Sequence, residues 1–255
     1  MNFGSASDAL ELFLRKVDAR SPLSTYEREA ILRLPTVPRR VAAYAEIVRL
    51  GEQTEHALLV AQGLVARFAH TADGRRQHTS IHLAGDMPDL HSLVLPAAPA
   101  PVIALTATTV FQIPHAALRK LTLDYTAIAA ALWRESVIDG QITAQWLVSV
   151  GRRDARGRLA HLLCEMATRY KWIGNSRNCT FPLPITQEQI ADALGLTSVH
   201  VNRSLQALRR EGLVRVARGE ATILDWDALA FAAEFDPTYL HLPNVAEGYT
   251  RRAAS

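Results

Sequence analysis

Apolar side chains at the start of the chain recur at helical spacing, with Leu10, Phe13 and Val17 on one face. The pattern predicts a helix that ends at Ser21-Pro22, because proline cannot continue it. Ser24 is a good N-cap, so a second short helix is expected directly after it.

From about residue 41 to residue 113 the pattern changes to short β-prone runs separated by glycines at intervals of 11 or 12 residues. The dipeptide Asp73-Gly74 is a strong hairpin signal between the runs 64–70 and 77–83. No segment between these runs is long enough for a crossover helix, which excludes a parallel sheet. An antiparallel double-sheet β-roll or jelly roll is therefore predicted.

A long helix is expected between residues 124 and 150, where no proline occurs and one face is apolar. At about 1.5 Å per residue it would reach about 40 Å, which favours a helix that pairs with a second copy of itself. The predicted dimer contact uses the apolar positions of this face. They are Ile128, Leu132, Ile138, Ile142 and Trp146.

The segment 151–154 interrupts this helix and is the predicted hinge, since Asp154 can cap a following helix that runs to about Trp172. The residues 175–184 are expected to form a loop. Thr186 and Gln189 then have the spacing of a capping box, and Gly195 can end that helix in a left-handed conformation. After a minimal turn, Thr197 caps a second amphipathic helix.

Two capped helices joined by so short a turn predict a helix-turn-helix, whose second helix enters the major groove of DNA. Its exposed side chains include types that recognise base edges: Arg for guanine, Asn for adenine and an apolar group for the thymine methyl. The predicted base contacts are Ser198, Val199, His200, Asn202 and Arg203. Contacts to the DNA backbone are expected from Thr186, Gln187, Thr197, Gln206 and Arg218.

The residues that follow, 213–224, alternate as a β-hairpin whose turn holds Arg218, and they predict the wing of a winged helix. Charge supports this interpretation. Residues 151–218 carry twelve basic and five acidic side chains, whereas residues 1–150 carry fourteen of each. A local basic excess is typical of a surface that binds a polyphosphate.

Catalytic and metal-binding patterns are missing from the sequence. The two cysteines, Cys164 and Cys179, cannot hold an iron–sulfur cluster by themselves. No Ser/His/Asp order, metal-ligand spacing or phosphate loop occurs, so an enzyme, a metal and a cofactor are not expected. The absence of a leader and of a long apolar run favours a cytoplasmic protein that does not contact a membrane.

With these elements in place, nearly the whole chain resembles the Crp/Fnr family of transcription regulators. Residues 185–213 match its helix-turn-helix closely, whereas the β-roll match rests on Gly51-Glu52, Gly63 and Gly85-Asp86. The resemblance implies an α+β chain: a cyclic-nucleotide-binding-like sensor domain at 1–123, a dimerisation helix at 124–151, a winged helix-turn-helix domain at 152–240 and a tail at 241–255.

Two departures from the family concern the ligand and the operator. Where relatives that bind cyclic AMP have a Gly-Glu pair and then an Arg-Ser pair, this chain has Pro88-Asp89 and the segment 98–101, which lacks a cation for the phosphate. In the recognition helix, Val199 replaces the family's cytosine-reading glutamate, and Arg203 alone keeps the family's base-reading role. Haem would need an axial ligand, and scattered histidines are typical of solvated or core positions.

The sequence therefore predicts a regulator that binds inverted-repeat operators in double-stranded DNA as a homodimer, without cyclic AMP. A cyclic-nucleotide-responsive regulator and an effector-independent regulator controlled by its abundance are the alternatives. RNA polymerase and an unidentified small-molecule effector are further expected partners. A ligand of the β-roll would act by biasing the hinge near Arg153-Asp154.

Overall fold

The computed structural model of the chain describes residues 5–176 and 179–243. Its internal contacts divide it into an N-terminal unit, up to Gly140, and a C-terminal unit from Gln141 onward. Of the tail expected at 241–255, residues 244–255 lie outside the described residues.

Two helices open the N-terminal unit. Helix α1 (Ala6–Arg20) buries Leu10, Phe13 and Val17, as the apolar spacing predicts. Helix α2 (Thr25–Leu32) begins with a capping box at Ser24. Both predicted helices are confirmed.

Seven antiparallel strands follow as two sheets, in agreement with the predicted double-sheet roll. The strands are β1 (Val37–Val41), β2 (Glu46–Val48), β3 (His56–Gln62), β4 (Val65–His70), β5 (Arg76–His82), β6 (Val102–Ala104) and β7 (Thr108–Pro114). One sheet has the order β1-β7-β3 and the other β2-β6-β4-β5. Valines of both sheets share one core cluster, so the apolar interior lies between the sheets.

Gly63 shows why glycine punctuates these strands. It stands between β3 and β4 with φ +88°, a conformation that L side chains rarely adopt. A Cβ atom there would also lie 2.7 Å from the Ala107 carbonyl oxygen. The turn therefore requires glycine for both conformation and space.

Three further helical elements begin in this unit, and the last of them continues into the C-terminal unit. They are a 3-10 helix (Leu90–Leu93), helix α3 (His115–Asp124) and helix α4 (Thr126–Arg152). The sequence pattern predicts α4 almost to its ends and misses α3, which is separated from α4 only by Tyr125. Because α3 is short and carries no polar cap, its start has no local signal.

The predicted dimer contact on α4 needs a correction. Ile128, Leu132, Ile138 and Trp146 are buried within the single chain, and Ile142 is half-buried. Ile128 and Leu132 belong to the core cluster that α1 and β7 also form. The most apolar face of α4 is thus buried in the core of the chain. Contact with a second copy would remove no further apolar surface of this face from water.

A different face of α4 is exposed and apolar. We name it the exposed stripe; its members are Ala130, Trp133, Val137, Gly140, Ala144 and Leu147. Their spacing alternates between three and four residues throughout, which is the spacing of the contact seam in a coiled coil. The stripe, and not the face of the five predicted positions, is the apolar surface of α4 that the single chain leaves exposed.

After α4, the described residues of the C-terminal unit form four helices, a three-stranded sheet and a short 3-10 helix. They are α5 (Ala155–Trp172), β8 (Thr180–Pro182), α6 (Gln187–Leu194), α7 (Ser198–Arg210), β9 (Val214–Ala217), β10 (Glu220–Ile223), α8 (Trp226–Ala233) and the 3-10 helix Pro237–Leu240. The sheet order is β8-β10-β9. Residues 180–182, expected to lie in a loop, form a strand instead because they pair with β10.

Within the described ranges, no helix is both long enough and apolar enough to cross a membrane. The same part of the chain contains no group of three or more His, Cys, Asp or Glu side chains placed to hold a metal ion.

Candidate nucleic-acid interface and sensor region

The start of α6 is fixed by reciprocal hydrogen bonds. The Gln189 backbone N–H donates to Thr186 Oγ1 at 3.2 Å, and the Thr186 N–H donates to Gln189 Oε1 at 2.8 Å. The capping box that the sequence predicts is confirmed. Gly195 ends the helix at φ 63° and ψ 40°, the left-handed conformation that glycine adopts without a steric penalty.

Helix α7 begins one short turn later. The Thr197 side chain accepts the His200 N–H, and Val201, Leu205 and Leu208 are buried. Helix α5 packs against both α6 and α7, and α6 packs on α7. These contacts hold the helix-turn-helix and leave the opposite side of α7 exposed.

Most of the predicted base-contacting side chains lie on that exposed side. Ser198, Val199, His200 and Arg203 are exposed, and Asn202 is half-buried. Within the part of the chain that the structure describes, Arg203 forms no hydrogen bond or ion pair. Its guanidinium is therefore available for the two acceptors at a guanine edge.

Asn202 is placed differently from the other predicted base contacts. Its Nδ2 donates to Gln187 Oε1 at 3.3 Å, and its Oδ1 accepts from Gln206 Nε2 at 2.8 Å. The three amides therefore form a chain that links the start of α6 to the middle of α7. Two of the predicted backbone contacts, Gln187 and Gln206, are at the ends of that chain.

The wing turns at Arg218 and Gly219, with φ 53° and 75°. Two successive positive φ angles match the tight two-residue turns that suit a twisted hairpin. Arg218 is exposed at the tip, where the sequence predicts a backbone contact. Arg209, which the sequence analysis did not single out, donates to the Val216 carbonyl oxygen and attaches α7 to the wing.

In the sensor region, the position of the family's phosphate-binding pair is occupied by a buried carboxyl group. Asp89 Oδ1 accepts the Leu58 N–H at 2.7 Å, and Oδ2 has no hydrogen-bond partner among the described residues. Burial raises the pKa of Asp89 to about 7, although the hydrogen bond from Leu58 opposes this shift. An anionic phosphate beside this group would meet an acid rather than a cation.

One arginine, which sequence reasoning missed, does lie near this region. Arg67 is on β4, and its Nη2 contacts Asp139 Oδ2 at 2.6 Å while its Nε donates to Ser80 Oγ at 2.9 Å. It also acts on Asp89, whose pKa its charge lowers slightly. A charged residue inside an apolar strand was the signal available, but its partner on α4 is 72 residues away.

Two protein-family models match the chain, one in the β-roll and one in the helix-turn-helix region. Residues 157–231 match the Crp-like helix-turn-helix domain, and residues 38–125 match the cyclic nucleotide-binding domain. Together the two matches span most of the sensor region and the DNA-reading helices.

Individual relatives are transcription regulators. The chain is 25% identical over 181 residues to a probable transcriptional activator of Rhizobium leguminosarum bv. viciae. This aligned region covers 70% of the chain and 73% of that protein. The chain is 27% identical over 194 residues to the transcriptional activator protein FnrL of Cereibacter sphaeroides, covering 69% and 71%. The structure of FixK2 from Bradyrhizobium japonicum aligns with a TM-score of 0.71 at 25% identity, over 78% of this chain and 98% of that one. These relatives confirm a regulator rather than an enzyme.

Asp89 predicts a pH dependence of stability. Its pKa is higher in the folded chain than the value of about 4 in an unfolded one, so the folded state holds a proton that the unfolded state releases between about pH 4 and pH 7. Stability from this group is complete at low pH and decreases as the pH rises through that window. Relative to Asp89→Asn, which does not titrate, the wild type should lose on the order of 1 kcal/mol per pH unit.

Urea unfolding of both proteins between pH 5 and pH 8 measures this difference. A gap between the two that does not change with pH would contradict the assignment.

Proposed function

Because this chain belongs to the Crp/Fnr family of DNA-binding transcription regulators, we propose that it binds inverted-repeat operators as a homodimer and that its sensor domain does not bind cyclic AMP. The exposed face of α7 carries the DNA-binding part of the proposal. It presents Arg203, which forms no hydrogen bond or ion pair among the described residues, together with Val199 and Ser198 in the N-terminal half of the helix that enters the major groove in such motifs.

The exposed stripe of α4 supports the homodimer. Trp133 and Leu147 are 75% and 73% exposed, which leaves large apolar surfaces in water in a single chain. Burying such surfaces stabilises by about 25 cal/mol per Å². Ala130, Gly140 and Ala144 lie between or beside the large residues of the stripe and would allow two copies of the helix to approach closely.

Two-fold symmetry of such a dimer has a consequence for the operator. Each copy of α7 reads one half-site, so the two half-sites are inverted and lie about one helical turn, roughly 10 bp, apart. Thr186, Thr197 and Arg218 are the proposed phosphate contacts, and the Gln187–Asn202–Gln206 chain orients the amide groups. RNA polymerase is the expected further partner of the bound dimer.

The surroundings of Asp89 support a sensor without cyclic AMP. The nearby cation, Arg67, is already paired with Asp139, so a phosphate would have to displace that pair and desolvate a second acid. These contacts also favour a regulator that needs no effector, because they already connect β4 to α4 within the N-terminal unit. An uncharged effector is the remaining alternative, because it would not need a cation in the β-roll.

Replacing Arg203 tests the DNA contact. Arg203→Ala should weaken binding to the best operator by about 5- to 150-fold, the loss expected when one bidentate base contact disappears. It should also relax the preference at one base pair of each half-site. Electrophoretic titration of operators from a binding-site selection measures both effects at fixed salt.

Arg203→Lys is the matched control, because it keeps the positive charge but not the paired donors. It should retain non-specific binding and lose the base preference. Unchanged operator affinity in Arg203→Ala would show that another residue reads the site.

The homodimer is tested by two leucines of similar exposure. Leu147 lies on the exposed stripe, whereas Leu123 lies on α3 and is 82% exposed. Leu147→Glu should shift the protein toward a single chain in sedimentation velocity, because the seam would have to bury two carboxylates. Leu123→Glu should remain a dimer, and dissociation of both variants to the same degree would contradict the assignment to α4.

Cyclic nucleotides test the sensor. Operator affinity should stay within about two-fold when cyclic AMP or cyclic GMP is added at millimolar concentration, because a ligand without differential affinity shifts no equilibrium. Adenosine monophosphate serves as the control for non-specific nucleotide effects. A saturable increase in affinity that only a cyclic nucleotide causes would favour the cyclic-nucleotide-responsive alternative.

A further inference from the structure

The segment after α8 is an ordered part of the C-terminal unit. We name residues 234–242 the C-terminal strap. Its buried side chains are Phe235, Pro237, Tyr239, Leu240 and Leu242. Asp236 caps its 3-10 helix by accepting the Thr238 N–H at 2.9 Å. The strap begins after residue 231, where the match to the Crp-like domain ends.

The strap reaches a buried carboxylate on α5. Glu165 is fully buried, and its Oε2 accepts hydrogen bonds from Tyr239 OH and from Trp146 Nε1, each at 2.9 Å. Its Oε1 accepts from Arg169 Nη1 at 3.1 Å. One donor thus comes from the strap, one from α4 and one from α5 itself, so a single charged group connects three elements.

One of these three elements precedes the hinge in the chain, and the other two follow it. Trp146 precedes the break between α4 and α5 at Arg153-Asp154, whereas Glu165 and Tyr239 follow it. A second link crosses the same break, because His241 Nε2 lies 2.7 Å from Gln141 Oε1. All of these residues belong to the C-terminal unit.

The hinge residue Arg153 is held by the end of α8 and the start of the strap. Arg153 Nε donates to the Ala233 carbonyl oxygen at 3.0 Å, and its Nη2 donates to the Glu234 carbonyl oxygen at 3.3 Å. The two carbonyl groups can accept these bonds only while the backbone at Ala233 and Glu234 keeps its conformation. The backbone at the end of α8 and the start of the strap therefore contacts the break between α4 and α5 directly.

Aromatic side chains pack beside the Glu165 contact. His161 lies between Phe235, in an edge-to-face contact at 5.2 Å, and Tyr239, which stacks on it at 6.0 Å. Burial lowers the pKa of His161 to about 4, so this ring is neutral at physiological pH. Burial and the neighbouring Glu165 raise the pKa of Tyr239 well above its usual range, which keeps its hydroxyl group a donor.

From these contacts we propose that the C-terminal strap fixes the angle between α4 and α5, and that Tyr239, Glu165 and Trp146 are positioning residues that set the half-site spacing accepted by the dimer. The inference rests on the proposed function, in which α4 joins the two copies. Helix α5 packs on α7 and so carries the recognition helix with it. Since successive base pairs are about 3.4 Å apart, a modest change at the hinge would move α7 to a neighbouring base pair.

Operators with altered spacing test this proposal. Two half-sites are joined at the preferred separation and at separations one and two base pairs shorter or longer, and affinities are measured for the full-length protein. Tyr239→Phe keeps the ring and removes only the donor. It should reduce the discrimination between preferred and altered spacings by at least about ten-fold, the scale of one hydrogen bond to a charged group. Affinity for a single half-site should not change.

Thr238→Ala is the matched control, since Thr238 is an exposed side chain of the same strap. It should discriminate spacings as the wild type does. His241→Ala removes the second link and should also reduce discrimination. If Tyr239→Phe loses its circular dichroism signal, the His241→Ala result decides.

The outcomes separate the inference from the proposed function. A wild type that sediments as a single chain, or that shows no spacing preference, contradicts the proposed function. A dimeric wild type with a clear preference that folded Tyr239→Phe and His241→Ala both retain contradicts the role of the strap. A loss of single half-site affinity equal to the loss of discrimination would also overturn it, because that result indicates damage to α7 rather than a change of angle.

Discussion

Helix α4 has apolar side chains on two faces, and a single chain can bury only one of them. Ile128 and Leu132 are enclosed by the core of the N-terminal unit, whereas Trp133, Val137 and Leu147 are left in water. The hydrophobic effect favours burial of the second face against a partner, and a surface of regular seam spacing is matched most simply by a copy of itself. The proposed two-fold operator symmetry depends on this property of one helix.

The polar residues of α4 determine which face is turned inward. Glu135 is paired with Lys16 at 3.3 Å and with Arg20 at 2.6 Å, and Asp139 is paired with Arg67. Buried ion pairs add little net stability, but an unpaired buried charge is strongly destabilising. Rotating α4 to bury the exposed stripe would separate these pairs, so the charges fix its orientation within the N-terminal unit. Residues that interrupt the apolar pattern in the sequence are therefore part of the reason that the stripe remains exposed.

Features that depend on neighbouring residues could be predicted from the sequence. The capping box of Thr186 and Gln189, the left-handed Gly195 and the Asp73-Gly74 hairpin involve contacts over a few residues, and side-chain chemistry identifies them. The inward face of α4 could not be predicted, because both faces have helical spacing and the choice depends on α1 and β4. The hydrogen bonds of Asn202 could not be predicted for the same reason, because one of its partners, Gln187, is on another helix.

The carboxylate of Glu165 extends this reasoning to the hinge. Replacing such a buried charge by a well-packed apolar side chain is often neutral or stabilising for the folded protein. The reason is that the interactions of the charge with its partners do little more than offset the cost of its desolvation. Stability alone therefore does not explain why Trp146, Tyr239 and Arg169 all converge on it. Hydrogen bonds to a charge have strict distances and directions, whereas apolar contacts tolerate sliding. A group of this kind is suited to holding α4, α5 and the C-terminal strap in one arrangement, and one arrangement is what a dimer needs to measure a fixed distance along DNA.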